Sequence, residues 1–307
     1  MAYAETRDGT HLFYKTLGEG APVILIHGWP LSADSWDPQM IALAQAGYKA
    51  IAYDRRGFGR SDQPPVGYDY DTFADDLADV MQHCGVTQGA TLVGFSMGGG
   101  EIARYMSRHN GNGVIKAVLV SSVVPYMLKT EDNPDGVPQS TFDEMTQGMK
   151  DDFRHFFTGF FQDFYGDGLI FRAVSEEEKQ WAWNTAMMAG QFATLQAAQA
   201  FATTDFRPDL ASFTVPTLII HGTADKTVPI DATGRAAAKA IPNATLIEYD
   251  GEPHAVFATQ KDRLSQDLLD FLGTDKRGGD LLEGLETANP AERQAMVDQL
   301  TANTIIG

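Results

Sequence analysis

A single cysteine, Cys84, stands in the 307 residues. One thiol cannot close an intramolecular disulfide or build a thiolate-rich metal site, which fits a reducing, cytoplasmic compartment. Positive charge is scarce as well: 23 Lys and Arg against 41 Asp and Glu leave a formal charge of −18. A nucleic-acid binder needs a basic footprint to displace counterions from phosphate, so this balance argues against DNA or RNA and disfavours an anionic membrane surface. Long apolar runs are missing too. The first ten residues contain no apolar segment, and the strongest apolar stretch, Val114 to Val124, is broken by Lys116 and two serines. Neither a signal peptide nor a membrane span is expected, and there is no internal repeat or low-complexity tract.

What the chain does have is alternation. Short β-branched runs at Val23–Ile26, Tyr48–Tyr53, Thr91–Phe95, Ala117–Ser121, Thr217–Ile220 and Thr245–Tyr249 alternate with helical patterns. Those helices are predicted at Pro38–Ala46, Asp71–His83, Gly98–His109, Asp231–Ala240 and Lys261–Leu272. Strands apolar at every position, separated by amphipathic helices, predict an α/β class protein with a mostly parallel, doubly wound sheet. The alternation stops between Pro125 and Pro208, where Phe153, Phe156, Phe157, Phe160, Phe161 and Phe164 recur at helical spacing. These aromatics either hold a helical cap together or line an apolar pocket beneath it, and the two roles are compatible. The expected division is therefore a core in two parts, 1–124 and 209–273, an inserted helical cap at 125–208, and a helical C-terminal extension at 274–307 of unassigned role.

The sharpest local signal is Gly94-Phe95-Ser96-Met97-Gly98, a G-x-S-x-G between a predicted strand and a predicted helix. Such a turn lifts the serine hydroxyl above the strand ends in a strained conformation, and glycine two positions either side removes side chains that would collide. A phosphate cradle is the other use of a Gly-rich turn, but no Gly-Lys-Ser/Thr ending follows. Serine needs a base, and the base needs an orienting acid. His254 follows the last predicted strand, Asp225 follows the strand before it, and the order Ser96, Asp225, His254 is that of an α/β-hydrolase triad. The Met97 N–H and the Trp29 N–H, the latter in His27-Gly28-Trp29-Pro30, are the expected oxyanion donors. Pro30 has no N–H to offer and biases Trp29 toward extended backbone, aiming the Trp29 carbonyl at the acyl site. Pro30, Phe160, Phe164 and Val228 are expected in the substrate pocket.

The segments His27 to Ser32, Tyr53 to Ser61, Gly94 to Gly100 and Glu101 to Tyr105, together with Lys129 to Pro138, resemble the cofactor-free haloperoxidases. These form the arylesterase and perhydrolase branch of the α/β-hydrolase superfamily. The resemblance spans about Gly9 to Leu272 and leaves the tail uncovered. It implies no haem, vanadium or other metal and no cofactor, and the sequence contains no H-E-x-x-H motif. His11, His27, His83, His109, His155 and His221 are read as structural or solvent-facing, and Arg55, Arg56 and Arg60 as members of structural ion pairs. The resemblance further implies an acyl-enzyme formed from a small carboxylic ester, with hydrogen peroxide competing with water to give a peracid that can oxidise halide. Opening of a lactone or lactam would use the same groups. A non-turnover ligand receptor is the alternative from another class, and sustained hydrolysis of p-nitrophenyl acetate separates it from an enzyme. A dehalogenase or epoxide hydrolase would carry aspartate at 96. A homo-oligomer is compatible with the sequence but not specified by it.

Overall fold

The computed structural model describes residues 2–166 and 173–273. The extension at 274–307 and part of the expected cap lie outside them. The strands are β1 (Ala2–Glu5), β2 (His11–Leu17), β3 (Ala21–Ile26), β4 (Tyr48–Tyr53), β5 (Ala90–Phe95), β6 (Val114–Val120), β7 (Thr217–Gly222) and β8 (Ala244–Tyr249). The helices are α1 (Asp37–Gln45), α2 (Tyr70–His83), α3 (Met97–Arg108), α4 (Gln139–Asp151), α5 (Phe153–Phe164), α6 (Glu176–Met188) and α7 (Gln191–Thr203), followed by α8 (Gly234–Ala240), α9 (Val256–Thr259) and α10 (Lys261–Gly273). Everything that positions the site falls within one compact unit ending at Leu264, and α10 runs into a second that begins at Ser265.

The sheet order is β1-β2-β4-β3-β5-β6-β7-β8, with β3 to β8 parallel. Strand β3 is buried from Val23 to Ile26 and every residue of β5 is buried, as continuous apolar strands covered on both faces require. Burying each such Leu, Ile, Val or Phe side chain stabilises the fold by about 1.5–3 kcal/mol. The antiparallel pair β1 and β2 was not expected from the sequence. Both sit toward one sheet edge and leave several positions exposed, so they lack the uninterrupted apolar run that marks a doubly covered strand. Helix α8 starts at Gly234 rather than Asp231, because residues 231–233 form a turn ahead of it.

Between β6 and β7 the chain carries α4 to α7, where the sequence predicted helices without strands. Among the described residues, only isolated bridges, Leu128 with Val137 and Thr130 with Asn133, interrupt that pattern. The aromatic face of α5 serves two ends: Phe157, Phe161 and Phe164 are buried, while Phe160 is half-buried and faces a cavity. This insertion is tied to the core through Trp29, whose indole Nε1–H donates to the Thr194 carbonyl of α7 at 3.0 Å. The Trp29 ring also packs against Phe157, Phe160 and Phe201 with centroid separations of 5.3, 5.2 and 5.6 Å. A second tie runs from the Gly190 N–H to the Gly57 carbonyl at 2.9 Å.

Candidate active site

Four loops leave the carboxyl ends of β3, β5, β7 and β8 and converge above the sheet, the edge where open α/β sheets place ligands. The loop after β5 is shortest: Phe95 ends the strand and Met97 begins α3, leaving Ser96 as the corner. Its φ of +54° and ψ of −117° hold a non-glycine residue in the left-handed region, a local cost that the surrounding packing must sustain. The flanking glycines have separate reasons. A Cβ on Gly94 would come within 2.5 Å of the Gly98 carbonyl oxygen, and one on Gly98 within 2.5 Å of the Ile26 carbonyl oxygen. The first contact would block the return of the helix over its own strand, and the second its seating against β3. Ser96 makes no side-chain capping bond to α3, which leaves its hydroxyl for another partner.

That partner is His254. Its Nε2 lies 3.0 Å from Ser96 Oγ, and its Nδ1 lies 2.7 Å from Asp225 Oδ2. Because a carboxylate only accepts, Nδ1–H donates and Nε2 is left to accept the serine proton. The imidazole packs against two neighbouring rings, Phe95 at 4.9 Å and Phe164 at 5.1 Å between centroids. Asp225 Oδ1 accepts the backbone N–H groups of Thr227 at 2.9 Å and Val228 at 2.7 Å. Burial would raise the Asp225 pKa, but the charge of His254 and hydrogen bonds from His221 and His254 outweigh it and draw the carboxyl down to about 2. The group is thus a carboxylate throughout the neutral range, as an orienting acid must be.

His221, read from the sequence as structural, is buried beside the acid. Its Nε2 stands 2.9 Å from the Val228 carbonyl and 3.2 Å from Asp225 Oδ2, so it braces the loop that carries the acid. The signal available in the sequence was its position, at the end of β7 and four residues ahead of Asp225.

The loop after β3 approaches the nucleophile from the other side. The backbone N–H groups of Trp29 and Met97 make no hydrogen bond among the described residues, so both are free to receive an oxyanion. His27 shapes this loop from within: its Nδ1–H donates to the Gly28 carbonyl at 2.9 Å, and its Nε2 accepts the Arg55 N–H at 2.9 Å. Burial, with the nearby positive charge of Arg55 and Arg60, holds the His27 pKa well below the ordinary histidine value and keeps the ring neutral for both bonds. Arg55 also donates from its guanidinium to the His27 carbonyl at 2.9 Å and pairs with Glu101 of α3 at 2.8 Å. Glu101 in turn accepts the Tyr53 hydroxyl. The remaining arginines of the segment form ion pairs, Arg56 with Asp76 at 2.6 Å and Arg60 with Asp54 at 2.8 Å.

Gly28 lets the loop come this close. A Cβ there would lie 2.5 Å from the Phe95 ring and 3.0 Å from Ser96 Cβ, and Phe95 is too tightly packed to yield. Gly28→Ala should therefore push the Trp29 N–H away from the acyl site. A displacement of that kind lowers kcat by roughly 10²-fold, with KM little changed. Steady-state kinetics on a soluble ester separates the two parameters.

A cavity of about 170 Å³ opens on Ser96 and His254, walled by Trp29, Val123, Phe142, Phe160, Phe201 and Val228. Phe160 and Val228, both expected near the substrate, are part of this wall. Pro30 and Phe164 do not line this cavity: Phe164, one turn beyond Phe160 on the same face of α5 with the two rings 5.5 Å apart, is fully buried against the His254 ring. Asp163, Lys226 and Thr141 add polar groups to the lining, none of which the sequence pattern singled out. Among the described residues no group of three or more His, Cys, Asp or Glu is arranged to hold a metal ion. Nor is any helix among them long and apolar enough to cross a membrane.

The sequence profile of the alpha/beta hydrolase fold matches residues 21–260. The chain belongs to the α/β-hydrolase family. Within the family, this hydrolase is similar to a non-heme chloroperoxidase of Kitasatospora aureofaciens, 43% identical over 274 residues that cover 89% of this chain and 99% of the other. A bifunctional esterase/perhydrolase of Acinetobacter calcoaceticus is 43% identical over 279 residues, again 89% of this chain and 99% of its own. The crystal structure of a bromoperoxidase from Bacillus anthracis superposes with a TM-score of 0.85 at 43% identity, covering 89% of this hydrolase and 99% of that chain. These likenesses put this hydrolase in the non-haem haloperoxidase branch of the family.

Proposed function

We propose that this hydrolase is a serine esterase with perhydrolase activity toward small carboxylic esters, acting through Ser96, His254 and Asp225. The observation that carries the reading is the relay in which Ser96 Oγ, His254 Nε2 and Nδ1, and Asp225 Oδ2 are joined by contacts of 3.0 and 2.7 Å. Relatives named as chloroperoxidases and as an esterase/perhydrolase support the same chemistry.

In this mechanism His254 Nε2 takes the Ser96 proton as Oγ attacks the ester carbonyl, and the Trp29 and Met97 N–H groups stabilise the oxyanion. His254 then passes the proton to the departing alcohol. Water attacks the acyl-enzyme to give the acid, or hydrogen peroxide attacks to give a peracid. Released peracid can transfer an oxygen atom to bromide or chloride, yielding carboxylic acid and hypohalous acid with uptake of one proton, so the halide needs no site on the protein. The cavity, at about 170 Å³, suits a short acyl chain better than the pockets of roughly 300–1,000 Å³ that take drug-sized ligands. A reducing, cytoplasmic setting belongs to the same proposal and rests on the single cysteine.

The test is partitioning of the acyl-enzyme. With p-nitrophenyl acetate at fixed peroxide, acid and peracid are measured as separate products and bromide oxidation is followed independently. Peracid should account for a fraction of turnover that rises with peroxide concentration and disappears in Ser96→Ala. Pro30→Leu should shift partitioning toward water, since Pro30 fixes the chain beside the Trp29 carbonyl. An unchanged product ratio would remove Pro30 from the account while leaving the esterase reading intact.

A further inference from the structure

Among the groups lining the cavity that opens on Ser96 and His254 is one that is readily oxidised, the thioether of Met145 on α4. Met145 is half-buried and, with Phe142, lines both this cavity and an adjoining groove of about 550 Å³ between α4 and α7. The other methionines among the described residues are placed differently. Met40, Met81, Met97, Met106, Met127 and Met149 are buried, Met187 is half-buried on α6, and Met188 lies 50% exposed on the protein surface.

A peracid is electrophilic at its terminal oxygen, and a thioether is the soft nucleophile best suited to take it. We propose that Met145 is a self-modification site, oxidised to its sulfoxide by the peracid formed on Ser96 before that product escapes. The inference rests on the perhydrolase reading above. In the step, the sulfur lone pair attacks the outer peroxy oxygen, the O–O bond breaks, and an S–O bond forms. The hydroxyl proton ends on the carboxylate, so peracid and thioether become carboxylic acid and sulfoxide. Sulfur loses two electrons and the peroxy group gains them. The product replaces a flexible apolar side chain with a polar one at the junction of cavity and groove, and methionine sulfoxide is reducible. Turnover with peroxide would thus write a reversible mark into the wall of the acyl pocket.

Selectivity between two methionines of the same chain decides the matter. Wild-type protein is incubated with p-nitrophenyl acetate and hydrogen peroxide in the presence of a soluble methionine-containing peptide too large to enter the cavity. Oxygen gain at Met145 and Met188 is then read by peptide mass spectrometry. Ser96→Ala under the same conditions gives the background from peroxide alone, and reagent peracetic acid added to Ser96→Ala gives the intrinsic order of reactivity. The expected result is a Met145-to-Met188 sulfoxide ratio several-fold above that with reagent peracid, persisting when the trap has returned Met188 to background. If the trap protects both methionines equally, oxidation comes only from released peracid and the inference is overturned. It is overturned as well if the trap peptide is oxidised by turnover while Met145 stays unmodified. A trap peptide oxidised no faster than in Ser96→Ala would mean that no peracid is made, and the perhydrolase reading would fall first.

Discussion

Hydrolysis of p-nitrophenyl acetate by Ser96→Ala should fall by about 10⁴–10⁶-fold, with the urea unfolding midpoint nearly unchanged. The two halves of this expectation come from the same geometry. Among the described residues the Ser96 hydroxyl has one hydrogen-bond partner, His254 Nε2 at 3.0 Å, and caps no helix. Removing it therefore deletes the nucleophile without freeing a structural donor. The backbone at 96, with φ near +54°, is no harder for alanine than for serine, so the strain of the turn is the same in both proteins. What survives in the variant is oxyanion stabilisation and binding, which alone accelerate the reaction modestly over water. His254→Ala should lose activity on the same scale and show no burst of p-nitrophenol. Sustained turnover by either variant would place the chemistry on other residues.

The second large effect is expected at a residue that touches no substrate. Arg55→Met should cost about 3–5 kcal/mol of stability, because it leaves the Glu101 carboxyl fully buried without its cation. Arg55 and Glu101 are both inaccessible to solvent, and burial pushes the Arg55 guanidinium down to about 10 and the Glu101 carboxyl well above the carboxylate range. Both directions say that charge is costly at this spot. The double variant Arg55→Met with Glu101→Gln carries no charge there and keeps an acceptor for the Tyr53 hydroxyl, so its unfolding midpoint should recover most of the loss. Its kcat should not recover, since the His27 carbonyl has still lost the Arg55 bond that holds the loop bearing Trp29. Urea titrations of the single and double variants, with kcat measured on each, separate the two contributions. Full recovery of kcat in the double variant would reduce the pair to a packing element.

The contrast between these two sites explains what could be read from residues alone. Strand β5 and the turn into α3 were legible because their constraints are local: a continuous apolar run, then glycines two places either side of a serine. Asp225 and His254 could be ordered because each follows a short β-branched run that reads as a strand. Strands β1 and β2 were not legible, since their runs of partly exposed positions give a mixed pattern with no continuous apolar stretch. The Arg55–Glu101 pair was half legible. The arginine was expected in an ion pair, but its partner 46 positions away on α3 cannot be chosen among 41 acidic residues without coordinates. Phe164 was misassigned to the pocket for a related reason: helical spacing reveals an apolar face but not which edge of that face meets a cavity and which meets a histidine ring.

The contact between the serine and its histidine spans 158 positions of chain, and the loop carrying Trp29 comes from an earlier strand still. No fragment that lacks β7 and β8 can own a working centre, however native its first half. Closing so long a loop is slow, which places the onset of hydrolysis among the last events of folding. Ester turnover in a refolding mixture is then a clock for the joining of β7 and β8 to the earlier strands, and a nascent chain stays chemically silent until the loop after β8 has been laid down.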